Sequence, residues 1–217
     1  MIKLLNVTYH YNGSAGVEGI SFEIQPGEFV LLVGRTGAGK STVIKLISLE
    51  LLPASGDIFL ERYHARDLKR RDYPAWRRRI GVVFQDFRLL SDRTVHQNVK
   101  LAACCEPSLR VSPKTRALKA LSSVGLTPKL HSLPGELSMG ERQRASIARA
   151  LVNEPFVLLA DEPVSNLDSE TAGEVVALLQ KFNKAGTAML VATHQPERFA
   201  VCNPRIMRLE RGRMVAS

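Results

Sequence analysis

Apolar positions in this chain keep two different periods, and the change from one to the other divides it. Near the start, Leu4, Val7, Tyr9 and Tyr11, then Val17, Ile20, Phe22 and Ile24, alternate with polar residues, as strands with one buried face do. Asn12-Gly13-Ser14 predicts the turn between these short strands, and Pro26-Gly27 predicts the next one. Phe29-Val30-Leu31-Leu32-Val33 has no polar face, so it predicts a strand covered on both sides, as in a central parallel sheet. A helix from Lys40 to about Leu49 follows, with Val43, Ile44, Leu46 and Ile47 on one side. Ile58 to Leu60 and Ile80 to Phe84 predict two more strands.

The pattern changes after Phe87. From Val95 to Leu151 it is helical, carried by Leu101, Leu118, Leu121 and Val124 and interrupted by Pro107, Pro113, Pro128 and Pro134. The sheet pattern then returns with a strand at Phe156 to Ala160, a helix at Ser169 to Phe182 and a strand at Ala188 to Ala192. A short helix after Pro196 and a hairpin around Arg211-Gly212 close the chain. The expectation is one domain over residues 1–217. Its α/β core, with an antiparallel β edge, spans 1–86 and 155–217, and a helical subdomain spans 87–154.

Composition narrows the class. At 45% hydrophobic and 24% charged residues the chain is too apolar to be disordered, and no apolar run reaches the about 18 residues a membrane helix needs. The first residues lack the apolar core and cleavage site of a secretory signal, and three cysteines without paired spacing form no disulfide or zinc framework. A cytosolic, reduced protein is expected. Thirty Lys+Arg against 21 Asp+Glu leave a net charge of +9, which favours a polyanionic neighbour: nucleotide, nucleic acid or an anionic membrane face. Much of the excess lies in Arg62, Arg66, Lys69, Arg70, Arg71, Arg77, Arg78 and Arg79, expected as a solvated helical face.

The chemistry is more specific. Gly34-Arg35-Thr36-Gly37-Ala38-Gly39-Lys40-Ser41 is a G-x-x-x-x-G-K-[ST] pattern between an apolar strand and an amphipathic helix. Glycines let the backbone wrap with its N–H groups inward, and the helix N-terminus adds partial positive charge for phosphates. Lys40 would reach the β- and γ-phosphates and Ser41 would offer a hydroxyl to Mg²⁺, with Thr42 next among the nucleotide-binding residues. Phe156 to Ala160 then runs into Asp161-Glu162-Pro163. Ligands of open α/β sheets collect at the carboxyl ends of strands, so Asp161 is expected to hold the metal and Glu162 to orient and deprotonate an attacking water.

Leu137-Ser138-Met139-Gly140-Glu141-Arg142-Gln143-Arg144, followed by Ala148-Arg149-Ala150-Leu151, resembles the signature helix of the ATP-binding subunits of ABC transporters. Ser138 and Glu141 also form a capping box. Gln85, Ser165 to Asp168 and Thr193-His194 fall in the family's order, and the resemblance covers essentially the whole chain. It implies a P-loop NTPase fold with a RecA-like parallel sheet, ATP and Mg²⁺ as ligands, ATP hydrolysis, and an ATP-dependent homodimer. It further implies that Gln85 contacts metal and water, His194 contacts the γ-phosphate, Tyr11 stacks on adenine with Tyr9 as its rival, Ser138, Gly140 and Glu141 meet the opposite subunit's nucleotide, and Asp168 works at the dimer interface. Met139 departs from the usual glycine and puts a side chain where a phosphate would approach.

Within the family, Phe84 to Leu90 and Pro155 to Asp168 are most similar to the cell-division ATPases, and the lipoprotein-releasing and macrolide-exporter ATPases share much of both segments. The resemblance implies a subunit at the cytoplasmic face of the membrane, attached through an integral membrane partner. Phe87, Leu89 and Leu90 are expected to line the groove that receives a helix of that partner. A soluble cassette acting on nucleic acid usually carries zinc modules, coiled-coil insertions or a second cassette. The sequence has none, and no nucleic-acid partner is expected.

Overall fold

The computed structural model describes residues 1–11, 14–107 and 109–215. The chain opens with the antiparallel pair β1 (Ile2–Tyr11) and β2 (Ser14–Ile24). Both outrun the short strands expected, because register shifts between Leu4 and Tyr9, with Asn6 at a φ of 50°, bend the ribbon instead of ending it. Asn12 and Gly13 of the expected turn lie outside the described residues. β3 (Phe29–Val33) and α1 (Lys40–Ile47) follow. The helix stops short of Leu49, which takes a φ of 58° while the Glu50 and Leu51 N–H groups return to the Lys45 carbonyl. Leu49 stays buried, so its apolar signal reports packing, not helix. β4 (Ser55–Leu60) and β5 (Tyr63–His64) complete an antiparallel sheet of order β2-β1-β4-β5.

The basic segment is not one solvated helix. It breaks into two 3₁₀ turns and the short α2 (Tyr73–Arg78), because Trp76 must be buried and three arginines are held in place. Arg77 donates to the Leu49 carbonyl at 2.6 Å, Arg78 pairs with Glu106 at 3.2 Å, and Arg79 pairs with Glu61 at 2.6 Å above the Trp76 ring. Arg62, Arg66, Lys69, Arg70, Arg71, Arg77 and Arg79 are exposed as expected, and Arg78 is half-buried.

β6 (Ile80–Val83) leads into α3 (Val95–Cys104), α4 (Pro113–Ser123) and α5 (Met139–Leu151). Buried Arg116 ties the three helices together through Asn153 Oδ1 at 2.8 Å and the Ala103 and Glu106 carbonyls at 2.6 and 2.8 Å. The chain returns through β7 (Val157–Asp161), α6 (Ser169–Lys184), β8 (Ala188–Thr193), a 3₁₀ segment at Pro196–Cys202, and the hairpin β9 (Arg205–Glu210) and β10 (Arg213–Val215). The second sheet has the order β10-β9-β3-β8-β7-β6, parallel except for β10. Phe29 and Leu31 point into a core shared with α3 to α6, while Val30 and Leu32 point into one shared with α1 and the antiparallel sheet. Cover on both faces is why β3 carries no polar residue.

Candidate active site

The turn from β3 into α1 is shaped by close approach. Gly39 caps α1 at a φ of 104°, and a Cβ there would lie 2.6 Å from the Gly16 carbonyl oxygen; one on Gly34 would lie 2.4 Å from that of Leu209. The cap gives α1 no side-chain acceptor, and its first turn holds no acid, so its leading N–H groups and positive end are left for an anion.

Over this turn hangs a cluster of three polar side chains, Lys40, Glu162 and His194. Lys40 is only 7% exposed; its Nζ donates to the Gly34 and Arg35 carbonyls at 2.8 and 3.3 Å and lies 3.2 Å from Glu162 Oε1. The same oxygen is 2.9 Å from His194 Nδ1, and Glu162 Oε2 accepts from the His194 N–H at 3.4 Å. Glu162 takes a left-handed φ of 47°, held where β7 and β8 end: its N–H donates to the Ala192 carbonyl at 2.9 Å and its carbonyl accepts from Ser165 Oγ at 3.1 Å. Asp161 precedes it at the last position of β7. Burial raises the pKa of its carboxyl, a hydrogen bond with Ser41 opposes the rise, and the Glu162 charge adds to it.

These groups face one cleft of about 280 Å³. The turn and α1 contribute Thr36, Gly37, Gly39, Lys40, Ser41 and Thr42; the strand ends contribute Gln85, Asp161, Glu162 and His194. Gly34, Arg35 and Ala38 border the adjoining space on the side of β9 and β10. Tyr11 lines the cleft, its hydroxyl 3.5 Å from Thr42 Oγ1, whereas its rival Tyr9 packs on the core. Gly16, which the sequence patterns do not single out, lies beneath the Tyr11 ring, where a Cβ would come within 3.1 Å of two ring carbons. Its only signal was a glycine inside a strand.

Four predicted residues are not brought into this cleft. Ser138 caps α5: its Oγ accepts from the Glu141 N–H at 3.2 Å, and Glu141 Oε2 accepts from the Ser138 N–H at 2.8 Å. That backbone hydrogen bond holds the Glu141 carboxyl below the usual carboxylate range, and Lys129 at 3.6 Å helps. Gly140 lies against α6, where a Cβ would meet Thr171 Cγ2 at 2.3 Å, while Met139 is 45% exposed. Asp168 caps α6 by accepting from the Thr171 N–H at 2.9 Å.

A larger cleft of about 600 Å³ adjoins β6, lined by Val82, Phe84, Ala102 and Cys105 with Arg77, Arg88 and Arg149 among the charged residues. Phe87, Leu89 and Leu90 are not part of its lining, and Leu90 is exposed. Leu89 packs on the helical core, and Asn98 binds both the N–H and the carbonyl of Leu90, at 2.7 and 3.1 Å, which fixes that backbone against the start of α3. Their neighbours Phe84 and Arg88 line it instead.

The family model described as ABC transporter matches residues 17–165. The cell division ATP-binding protein FtsE of Mycobacterium tuberculosis is 43% identical over 222 residues, with 99% of this chain and 94% of that protein covered. FtsE of Escherichia coli is 40% identical over 215 residues, covering 99% and 97%. Among solved structures, the dimeric form of a bacterial ABC transporter cassette has a TM-score of 0.91 at 34% identity, covering 100% of this chain and 97% of that one, and a dimeric post-hydrolysis state bound to ADP and Pi aligns equally well. With a phosphate-binding turn, two carboxylates and a histidine converging on one cleft, this chain belongs to the ABC transporter family, as one of its ATP-binding cassettes.

Proposed function

We propose that the chain is the ATP-hydrolysing subunit of a membrane ABC complex in cell division, partnered by an integral membrane subunit of the FtsX kind at the cytoplasmic face of the membrane. The observation that carries this reading is the convergence of Lys40, Glu162 and His194 on the phosphate-binding turn. Lys40 neutralises β- and γ-phosphate charge, Glu162 takes a proton from the attacking water, and Gln85 and His194 orient that water and the γ-phosphate. Tyr11 stacks on the base. The donor set fits magnesium, since a half-buried Asp161 carboxylate, the Ser41 hydroxyl bonded to it and the Gln85 amide are hard oxygen ligands. Bound there, the metal would supply charge neutralisation at the phosphates.

In this reading Ser138, Gly140, Glu141 and Asp168 serve the nucleotide of a second copy, and residues 87–154 move as a helical subdomain. The cleft beside β6 receives a cytoplasmic helix of the membrane subunit, with an apolar anchor over Val82, Phe84 and Ala102. Among the described residues no helix is long and apolar enough to cross a membrane, and attachment runs through this partner. The test is Glu162→Gln with ATP: hydrolysis stops and an ATP-bound dimer accumulates in light scattering. Hydrolysis at the unsubstituted rate refutes the assignment.

A further inference from the structure

Phe87 and Arg88 have φ angles of 58° and 47°. Two successive non-glycine residues in the left-handed region are held there only if their surroundings over-determine them. The restraint comes from α5. Arg149 Nη2 donates to the Phe87 carbonyl at 2.7 Å, and Nη1 donates to the Arg88 carbonyl. The planar fork of a guanidinium spans both acceptors, which a lysine ammonium cannot do with the same geometry. Burial lowers the Arg149 pKa from its ordinary value, the nearby Arg88 cation adds to the shift and Asp86 opposes it. The group stays charged at neutral pH. On the other side of the bend, the Arg88 guanidinium lies 3.8 Å from the centroid of the Phe84 ring and 3.3 Å from Asp86. Gln85, which lines the nucleotide cleft, is bracketed by these contacts.

We propose that Arg149 is a positioning residue for ATP hydrolysis: by clamping the two left-handed carbonyls it holds Gln85 in the cleft and fixes that position to the helix that Ser138 caps. The proposal rests on the reading of Gln85 as a water-orienting group. Because α5 begins at the residues assigned to a second copy's nucleotide and ends at the clamp, a shift of the helix as a body carries Gln85 with it. Arg88 and Arg149 also line the cleft beside β6, so a partner seated there touches the same bend.

The experiment compares Arg149→Ala, Arg149→Lys, Gln85→Ala and the Gln85→Ala/Arg149→Ala double variant in the full chain. For Arg149→Ala, kcat falls by roughly tenfold or more, because small misplacements of a positioning group are costly. KM for ATP stays within about twofold, since binding of substrate is not what the clamp serves. Arg149→Lys is intermediate, added guanidinium restores part of the alanine variant's rate, and amide hydrogen exchange rises across residues 86–90. In the Gln85→Ala background Arg149→Ala causes no further loss. Losses that multiply, or unchanged exchange at 86–90, overturn the proposal. If Arg149→Ala does not fold, Arg149→Lys carries the same measurements. A Gln85→Ala variant with unaltered kcat removes the reading of Gln85, and this proposal with it, and that single variant identifies the cause.

Discussion

In the proposed function Lys40 meets phosphate, and in the structure it is paired with an acid. Lys40 lies 3.2 Å from Glu162 Oε1, and both side chains are largely buried, at 7% and 10% exposure. Two unit charges at that separation attract by about 5 kcal/mol at an effective dielectric near 20. Most of this is offset by the desolvation of both groups, leaving a net coupling of roughly 1–2 kcal/mol. A nucleotide must displace the carboxylate from Lys40 and bring its own negative charge beside Glu162. Glu162→Gln removes both costs while keeping the side chain's shape. ADP should therefore bind about tenfold more tightly to the variant, since 1.4 kcal/mol is one decade in affinity. ADP is the ligand to use, because tighter ATP binding would mix in the gain from dimer closure. Isothermal titration with ADP, with light scattering to show a monomer throughout, measures the effect. Unchanged or weaker ADP binding by Glu162→Gln refutes the claim that the ion pair competes with nucleotide.

Two further outcomes follow from other parts of the structure. Cys104 and Cys105 are both exposed, Cys105 lines the cleft beside β6, and burial raises the pKa of the Cys202 thiol. In a Cys104→Ser background a bulky maleimide should label Cys105 ahead of Cys202, abolish co-purification with the membrane subunit and leave ATP affinity unchanged; retained co-purification shows that the partner sits elsewhere. The Glu28 carboxyl is held below its ordinary pKa, first by the hydrogen bond from Arg205 at 2.5 Å, against the opposing effect of burial. Because the folded state binds the proton less readily than the unfolded one, this stability is present above the ordinary carboxylate range and is lost as pH falls through the lowered value. Glu28→Gln should cost about 1 kcal/mol or less at neutral pH, Arg205 being partly exposed, and the difference in melting temperature should vanish on acidification.

What could be read from residues alone was whatever a short segment determines by itself. The turn from Val33 to Lys40 needs glycines because backbone from Gly16 and Leu209 passes within contact distance, and those glycines are visible without knowing what passes. Asp161 and Glu162 were legible from their place after an apolar run, and His194 only through the family resemblance; parallel pairing of β7 with β8 brings these strand ends together. Direction of side chains was not legible. Phe87, Leu89 and Leu90 look like groove residues in one dimension, and the left-handed pair at Phe87 and Arg88 with the grip of Asn98 on Leu90 leaves them outside the cleft beside β6, which Phe84 and Arg88 line. The basic segment was misread for a related reason. Nothing local announces that Arg77 will satisfy the carbonyl of Leu49 or that Arg78 will pair with Glu106, because both partners lie far along the chain.

In the proposed function one copy holds only part of a hydrolytic site. Its cleft supplies the phosphate cradle, the carboxylates and His194, whereas the N-termini of α5 and α6, each capped by a side chain, lie outside it. An α-helix N-terminus attracts anions through its free N–H groups and partial positive charge. A γ-phosphate held by Lys40 in one copy is therefore a ligand that the Ser138 end of α5 in a second copy can meet. Charge points the same way. Each chain carries +9, so two copies repel at low salt until a polyanion enters between them. ATP supplies that negative charge at the surface where repulsion must be overcome, and hydrolysis with loss of phosphate withdraws part of it. In the proposed function, nucleotide thus acts as both substrate and adhesive, and the opening of the dimer follows from the chemistry performed inside it.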